Sequence, residues 1–252
     1  MSKKGIEIKG KNIGQGKPMV CVPVMERKKE DILSEVTRLV DLGAEMIEWR
    51  VDAFEDVSRT DAVREILACL SPIIENTVFL FTFRSKKQGG LLELDYEKIR
   101  HLHQVAAESK TVDLIDVEYF EAENVSYEIN VLQDMGVKVI VSHHNFCETP
   151  PKETVDTILE QMAKSDADIV KIALMPQSTE DVLLLLEKTN AFHKKYPDQL
   201  LITMSMGNLG VISRISGEVF GSCVTFGSGK VSSAPGQIPM LQLQQILDAI
   251  HG

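Results

Sequence analysis

Cysteine is scarce in this chain of 252 residues, and its few copies are not arranged in pairs. The four cysteines are widely separated, at Cys21, Cys69, Cys147 and Cys223, and no Cys-x-x-Cys motif occurs. A zinc site or a disulfide framework normally shows closely or regularly spaced cysteines. We therefore expect reduced thiols and a cytoplasmic protein.

Long apolar runs and an excess of positive charge are also missing. No stretch reaches the ~18 apolar residues of a membrane-spanning helix, and Met1–Ile6 lacks the apolar centre of a signal peptide. The 37 acidic residues outnumber the 27 basic ones, giving a formal net charge of −10. This balance argues against nucleic acid as a partner. We expect a soluble protein that binds neither membrane nor nucleic acid.

Motifs for the common cofactors are absent as well. No Gly-x-Gly-x-x-Gly follows the first predicted strand, which argues against a dinucleotide-binding fold. The segment Gly227–Val231 lacks the spacing and the Ser/Thr of a phosphate-binding P-loop. No metal-binding spacing supports a cluster of His143, His144 and Glu118. The predicted cofactor set is therefore empty, and no metal site is predicted.

What the chain does have is an alternation of short β-branched or aromatic runs with segments of helical period. We predict strands at Met19–Val24, Met46–Val51, Val78–Phe83, Asp113–Glu118, Lys138–Ser142, Ile169–Ala173, Leu200–Ser205 and Ser222–Phe226. Parallel neighbours need crossover connections, and eight strands close naturally into a ring, so the alternation predicts an α/β fold, a (β/α)8 TIM barrel. We expect residues 1–252 to form one domain, with a β-hairpin at Ile6–Ile13 closing the bottom of the barrel.

Polar side chains follow the carboxyl ends of these predicted strands, where (β/α)8 enzymes build their active sites. Glu48, Arg50 and Asp52 share one face of the second strand, because strand side chains alternate. The other polar residues at this end are Arg84, Asp116, Glu118, Ser142, His143, His144 and Arg214, and a glycine- and serine-rich loop runs to Gln237. Each has a simpler reading, such as a Glu48–Arg50 ion pair or surface positions for Arg84 and Arg214. Together they predict one polar site.

Lys171 lies within Asp168–Leu174, an otherwise apolar run that reads as a buried strand. Lysine is rarely buried without a partner, and a desolvated amine can act as a nucleophile toward a carbonyl group. The simpler reading is a lysine whose stem is buried and whose ammonium group reaches water. If Lys171 forms an iminium ion with a ketone, a nearby neutral histidine can remove the acidified α-proton. The residues thus predict elimination or carbon–carbon cleavage on an anionic carbonyl compound, with arginine binding its carboxylate.

Five separated motifs remain to be interpreted, namely Glu48–Asp52, Phe81–Ser85, Lys171–Gln177, Met204–Met206 and Ser233–Gln237. Together they resemble one family, type I 3-dehydroquinate dehydratase. The resemblance runs from the N-terminal hairpin to the last helix, with the motifs in family order. It implies a (β/α)8 barrel that acts in the shikimate pathway, usually as a homodimer, on a small-molecule substrate and without metal or cofactor.

The resemblance also implies roles for individual residues. Lys171 corresponds to the Schiff-base lysine and His144 to the general acid/base, while Glu48 and Arg50 are expected to bind ring hydroxyls. Arg214 is expected to bind the substrate carboxylate, and the remaining residues to line the site, namely Arg84, Ser233 and Gln237. Three positions depart from the family pattern. His143 replaces an asparagine, Asn145 replaces an aspartate that is expected to help orient His144, and Gln88 stands where the family often has a glutamate. We expect these changes to retune the activity.

The predicted reaction is the dehydration of 3-dehydroquinate to 3-dehydroshikimate through an imine on Lys171. Two alternatives remain open at this stage. A class I aldolase or transaldolase uses the same fold and the same lysine chemistry, although it normally needs a phosphate site in the last loops. A catalytically silent barrel that binds an anionic metabolite is the other alternative, suggested only by Asn145 and Gln88.

Overall fold

A ring of eight parallel strands forms the centre of the molecule in the computed structural model, which describes residues 5–251. The ring strands are β3 (Met19–Val24), β4 (Met46–Arg50), β5 (Val78–Thr82), β6 (Leu114–Glu118), β7 (Lys138–Asn145), β8 (Ile169–Leu174), β9 (Leu200–Ser205) and β10 (Val224–Phe226). Each pairs in parallel with the next, and β10 pairs with β3. A parallel bridge between Leu201 and Ser222 joins the β9 and β10 sides, so the predicted barrel is confirmed.

Helices follow the strands and cover the outside of the ring. They are α1 (Lys29–Asp41), α2 (Thr60–Leu70), α3 (Tyr96–Glu108), α4 (Val125–Asp134), α5 (Lys152–Ala163), α6 (Thr179–Lys195), α7 (Val211–Ile215), α8 (Gly217–Phe220) and α9 (Met240–Ile250). Ser178 and Asp181 form a capping box at the start of α6, because each side chain accepts from the other residue's backbone N–H. None of these helices, within residues 5–251, combines the length and apolar character needed to cross a membrane.

Two apolar layers explain why the strands are apolar runs. Side chains that point out of the ring, such as Trp49 and Phe81, pack beneath the helices. Side chains that point inward at the lower end, such as Met46 and Ile169, form a separate cluster. Because both faces of each strand are buried, hydrophobic residues occupy consecutive positions.

A small antiparallel hairpin closes the lower end of the barrel, as predicted. Its strands, β1 (Ile6–Ile8) and β2 (Lys11–Ile13), pair Ile6 with Ile13. Ile13 is buried in the lower apolar cluster, and Ile6 and Ile8 pack against it. The hairpin thus shields the interior from solvent at the end opposite the polar residues.

Two strand boundaries differ from the sequence prediction in ways that affect the site. β7 extends three residues past Ser142, because its pairing with β8 continues to Asn145 opposite Leu174. β4 ends at Arg50, and residues Val51–Ala53 form a short 3-10 helix. The expectation that Asp52 continues the strand was therefore wrong.

Candidate active site

A pocket opens at the upper end of the ring, and most of the predicted residues line it. The lining comprises Glu48, Arg50, Arg84, His144, Phe146, Lys171, Ala173, Met204, Met206, Phe226, Ser233, Ala234 and Gln237. Its walls carry strand ends on one side and the loop after β10 on the other. Charged groups and apolar side chains therefore face the same space, as in sites that orient a small polar ligand.

The Lys171 ammonium group is buried deep in this pocket beside two carboxylates. Its Nζ lies 3.1 Å from Asp116 Oδ2 and 3.7 Å from Glu48 Oε1, and only 3% of its side chain is exposed. The same atom lies 4.5 Å from the centre of the Phe226 ring. The alternative reading of a lysine that reaches water was wrong, because the strand holds the whole side chain inside the barrel.

Asp116, on β6, is the electrostatic centre of the site. Its carboxylate accepts hydrogen bonds from Lys171 Nζ at 3.1 Å and from Ser142 Oγ at 2.6 Å. It also forms an ion pair with Arg84 Nη2 at 3.0 Å. Burial alone would raise the pKa of the Asp116 carboxyl, but the charges of Arg84 and Lys171 hold it well below its usual range. The sequence analysis placed Asp116 among the polar residues of the site but gave it no role. Because side chains alternate along a strand, the sequence could have shown that Asp116 points into the barrel.

Arg84 is a buried cation that links β5 to β6. Its Nη1 donates to Glu118 Oε1 at 2.8 Å and to Ser142 Oγ at 3.1 Å. Burial would lower the pKa of this guanidinium, but the charges of Asp116 and Glu118 raise it above its ordinary value. The alternative of a surface charge was wrong for Arg84. The residue faces the pocket as part of a compact network of alternating charges.

His144 lies on β7 with its ring toward the pocket, beside Gln88. Its backbone N–H donates to Gln88 Oε1 at 2.8 Å, and its Nδ1 lies 3.3 Å from the same oxygen. Burial lowers the pKa of His144 well below its ordinary value, and the charges of Arg84 and Lys171 lower it further. The imidazole is therefore neutral near pH 7, the state in which it can accept a proton.

His143 and Asn145 point elsewhere, because neighbouring strand residues face opposite sides. The His143 ring packs edge-on against Phe120, with 5.0 Å between the ring centres. Asn145 Oδ1 accepts from the backbone N–H groups of Cys147 and Glu148, which form the turn after β7. Asn145 thus stabilises a turn, and Gln88 is the side chain that contacts the His144 ring.

Arg50 pairs with Asp52, and not with Glu48. Arg50 Nε and Nη2 each donate to the Asp52 carboxylate at 2.8 Å. The same carboxylate accepts from the backbone N–H groups of Arg84 and Leu91, at 3.3 and 3.1 Å. Glu48 instead accepts from Thr82 Oγ1 at 2.8 Å. Asp52 therefore fixes both the Arg50 guanidinium and the two ends of the loop that carries Gln88.

Arg214 is buried behind the pocket and does not line it. Its Nη1 and Nη2 donate to the backbone carbonyls of Phe226 and Pro235, at 3.3 and 3.0 Å, while its Nε has no partner among residues 5–251. No carboxylate within that range lies at ion-pair distance, and burial lowers the pKa of Arg214 to about 10. A buried cation without a counter-charge is costly to the folded protein and well suited to an anionic ligand.

The loop after β10 forms the upper wall of the pocket. We call this loop, residues 228–237, the lid. Ser233 N–H donates to Gln237 Oε1 at 2.8 Å, and Gln237 Nε2 donates to Ser233 Oγ at 2.9 Å. These bonds fold the outer part of the lid into a compact turn. Ser233 and Gln237 consequently face the pocket together, as the sequence predicted.

The fold and the site define a class of protein, a (β/α)8 enzyme with a buried lysine and a neutral histidine at one polar pocket. Among residues 5–251, no group of three or more His, Cys, Asp or Glu side chains has metal-binding geometry. A buried amine beside carboxylates and a neutral imidazole in the same pocket are suited to covalent and acid–base chemistry.

Comparisons with known proteins identify the family. A family model described as type I 3-dehydroquinase matches residues 20–252. 3-Dehydroquinate dehydratase of Clostridium botulinum is 43% identical over 250 residues, covering 99% of this chain and 98% of that protein. The enzyme of Clostridioides difficile is 44% identical with the same coverage.

Solved structures agree with the sequence comparisons. The type I 3-dehydroquinate dehydratase of Clostridium difficile, solved with covalently modified comenic acid, superposes with a TM-score of 0.95 at 43% identity, covering 99% of each chain. The enzyme of Geobacillus kaustophilus gives the same TM-score at 35% identity, covering 98% of this chain and 96% of that one. The chain belongs to the type I 3-dehydroquinase family. It is a hydro-lyase of the shikimate pathway, and the Schiff-base mechanism is characteristic of its family.

Proposed function

We propose that this enzyme dehydrates 3-dehydroquinate with Lys171 as the Schiff-base residue and His144 as the general acid/base. The observation that carries the proposal is the position of the Lys171 amine, which is buried in the pocket that His144 also lines. The C. difficile relative holds covalently modified comenic acid, which supports covalent chemistry in this fold. No observation favours the aldolase or the silent barrel.

The first step forms a covalent bond between lysine and substrate. The Lys171 ammonium group gives up a proton, and the free amine adds to the ketone carbon to form a carbinolamine. The carbinolamine hydroxyl takes up that proton and leaves as water, which gives a protonated imine. Asp116 and Glu48 lie beside the Nζ at 3.1 and 3.7 Å, so their charges stabilise the cationic imine. The imine withdraws electrons from the neighbouring carbon, which makes the α-proton acidic.

The second step is the elimination itself. Neutral His144 takes the α-proton, and the imidazolium then gives a proton to the hydroxyl on the β-carbon, which leaves as water. The product is a conjugated enone still bound as its imine. A water molecule hydrolyses that imine and releases Lys171, so one water is lost from the substrate overall.

Residues in and behind the pocket wall bind the substrate or hold its neighbours in place in this proposal. Arg214, behind the pocket wall, binds the carboxylate, because it is a buried cation with no counter-charge among residues 5–251. Glu48 and Arg50 bind ring hydroxyls, and Ser233 and Gln237 bind from the lid, which closes over the ligand. Arg84 holds Asp116 and Glu118 in place at the pocket wall.

The proposal also covers the setting of the enzyme. We propose a homodimer, as the family resemblance implies, of single-domain chains (residues 1–252) located in the cytoplasm, as the unpaired cysteines suggest. Light scattering coupled to size-exclusion chromatography tests the dimer, and a mass of one chain would contradict it. Fractionation of cells that produce the enzyme tests the location, and its recovery outside the cytoplasmic fraction would contradict the proposal.

Turnover assays test the assigned lysine. We expect the wild-type enzyme to convert 3-dehydroquinate to an enone that absorbs in the ultraviolet, and the Lys171→Met variant to have no measurable activity. Lys188→Met is the matched control, because Lys188 is also buried and paired, with Asp156 at 2.6 Å, but lies on α6 outside the pocket. Activity in Lys171→Met, or equal loss in both variants at retained fold, would contradict the assignment.

A further inference from the structure

Glu35 is a charged residue in an apolar position. On α1, the residues that face the barrel are Ile32, Glu35, Val36 and Leu39, and only 2% of Glu35 is exposed. Burying a carboxylate costs free energy unless it is paired with charges and hydrogen-bond donors. The groups that contact the Glu35 carboxylate therefore indicate why a charged residue occupies the barrel-facing side of α1.

One partner of Glu35 belongs to its own helix. Arg38, three residues later, donates from Nη2 to Oε1 at 2.6 Å and from Nε to Oε2 at 2.8 Å. A pair at this spacing on a helix surface is common and contributes little to stability. Arg38 alone gives no reason for Glu35 to turn inward, away from solvent.

The second partner of Glu35 is the lid. The backbone N–H of Lys230 donates to Oε1 at 3.3 Å, and Lys230 Nζ lies 3.3 Å from Oε2. Both carboxylate oxygens thus contact one lid residue as well as Arg38. Lys230 is 195 residues away in the sequence, so the contact ties the outer helix layer to the active-site loop.

Gly229 shows how closely the lid approaches this carboxylate. A Cβ atom at position 229 would lie 2.8 Å from Glu35 Oε1 and 3.4 Å from Val22 Cγ1. Only a residue without a side chain allows the backbone to come this near. The Gly-Ser-Gly-Lys segment, which does not match a phosphate-binding loop, thus has a structural explanation at the base of the lid.

A second contact holds the other end of the lid. The Pro235 carbonyl accepts from the Gly207 backbone N–H at 3.1 Å and from Arg214 Nη2 at 3.0 Å. The lid is therefore fixed at Lys230 on one side and at Pro235 on the other. Ser233, which faces the pocket, lies between these two attachments.

We propose that Glu35 is a positioning residue that latches the lid over the pocket through Lys230. The latch does not touch substrate. It acts by stabilising the closed lid, in which Ser233 and Gln237 reach the ligand, and in this respect it rests on the proposed function. In this ion pair Glu35 is buried, whereas 56% of the Lys230 side chain is exposed to solvent.

Hydrogen exchange of the ligand-free protein tests the latch without any assay of activity. We expect the amides of residues 229–237 to exchange about three- to tenfold faster in Lys230→Met than in the wild type, since a partly buried ion pair is lost. Lys230→Arg should restore the wild-type rate. Lys29→Met is the matched control, because Lys29 lies on α1 with Glu35 but forms its ion pair with Glu65, at 2.5 Å, away from the lid. Unchanged exchange in Lys230→Met would overturn the proposal.

Kinetics test whether the latch acts through the lid. In Lys230→Met we expect KM for 3-dehydroquinate to rise about three- to tenfold with kcat changed less than twofold, as expected for a weakened closed state. Glu35→Gln should raise KM similarly, and the double variant should raise it no further than the larger single change. Added salt should raise KM by a larger factor in the wild type than in Lys230→Met. Additive single effects with equal salt dependence would overturn the latch.

The two proposals fail in distinguishable ways. If the wild-type enzyme does not turn over 3-dehydroquinate, the proposed function fails, and the exchange experiment still decides whether Glu35 holds the lid. If turnover is normal and the exchange of residues 229–237 does not respond to Lys230→Met, only the latch fails.

Discussion

Gln88 Oε1 accepts a hydrogen bond from the backbone N–H of His144 and lies 3.3 Å from the Nδ1 of the same residue. An atom that accepts from a backbone N–H is the amide oxygen, so the Nδ1 that faces it carries the proton. The other ring nitrogen, Nε2, then holds the free lone pair. Gln88 thus selects the tautomer in which His144 can act as a base.

The first prediction concerns the charge at position 88. A carboxylate in Gln88→Glu would stabilise the imidazolium form and raise the pKa of His144 from its lowered value. The acidic limb of the kcat/KM profile reports the pKa of the free enzyme. We therefore expect that limb to move to higher pH. Gln104→Glu, which adds the same charge on α3, should leave it in place, and an unmoved limb in Gln88→Glu would refute the assignment.

The second prediction separates the two steps of the reaction. His144→Ala removes the base but leaves Lys171 and its carboxylate partners intact. We expect imine formation with 3-dehydroquinate to persist while turnover falls about 10²–10⁴-fold, the usual range for loss of a general base. Mass spectrometry of the trapped adduct and steady-state kinetics measure the two effects. Turnover at the wild-type rate would contradict the role of His144.

The third prediction concerns Asp116, which contacts both Lys171 and Arg84. Asp116→Asn leaves these two buried cations without their shared carboxylate, and breaking a buried ion pair costs about 3–5 kcal/mol. We expect a lower free energy of unfolding by about that amount and a slower imine-forming step. Ser142→Ala, which removes one hydrogen bond to Asp116 and one from Arg84 but no charge, is the control and should cost about 2 kcal/mol. Equal effects of the two variants would contradict the central role of Asp116.

The fourth prediction is that loss of Arg214 weakens substrate binding and raises the stability of the folded protein. Arg214→Met removes a buried cation that has no carboxylate partner within residues 5–251. We expect KM to rise about 10–100-fold, because a charge-assisted bond to the substrate carboxylate is lost. We also expect Tm to rise by about 2–4 °C for each kcal/mol of desolvation cost relieved. A fall in Tm with unchanged KM would show that Arg214 has a structural role only.

The sequence predicts the barrel well because its pattern is regular. Each strand is a short apolar run, and the polar residues that follow it meet at one end of a parallel ring. Lys171, His144 and Arg84 could be placed in one site for this reason. The apolar run around Lys171 also indicated a nucleophilic amine, whereas the choice of His144 as the base and the place of Arg84 in the site lining came from the motif resemblance.

The partners of the site residues could not be predicted in the same way. The 3-10 turn at Val51–Ala53 brings Asp52 back to Arg50, a contact that strand alternation does not contain. Gln88 meets His144 across 56 residues, and Lys230 meets Glu35 across 195. Such pairs depend on loop paths that periodicity does not encode. Asn145 was expected to influence His144, but its side chain forms the following turn.

Borohydride trapping is the most direct test of the covalent imine on Lys171. The wild-type enzyme is treated with borohydride in the presence of 3-dehydroquinate, digested, and examined by peptide mass spectrometry. We expect a reduced substrate adduct on Lys171 and no adduct without substrate. An adduct on a different lysine, or an active enzyme with no adduct at all, would contradict it.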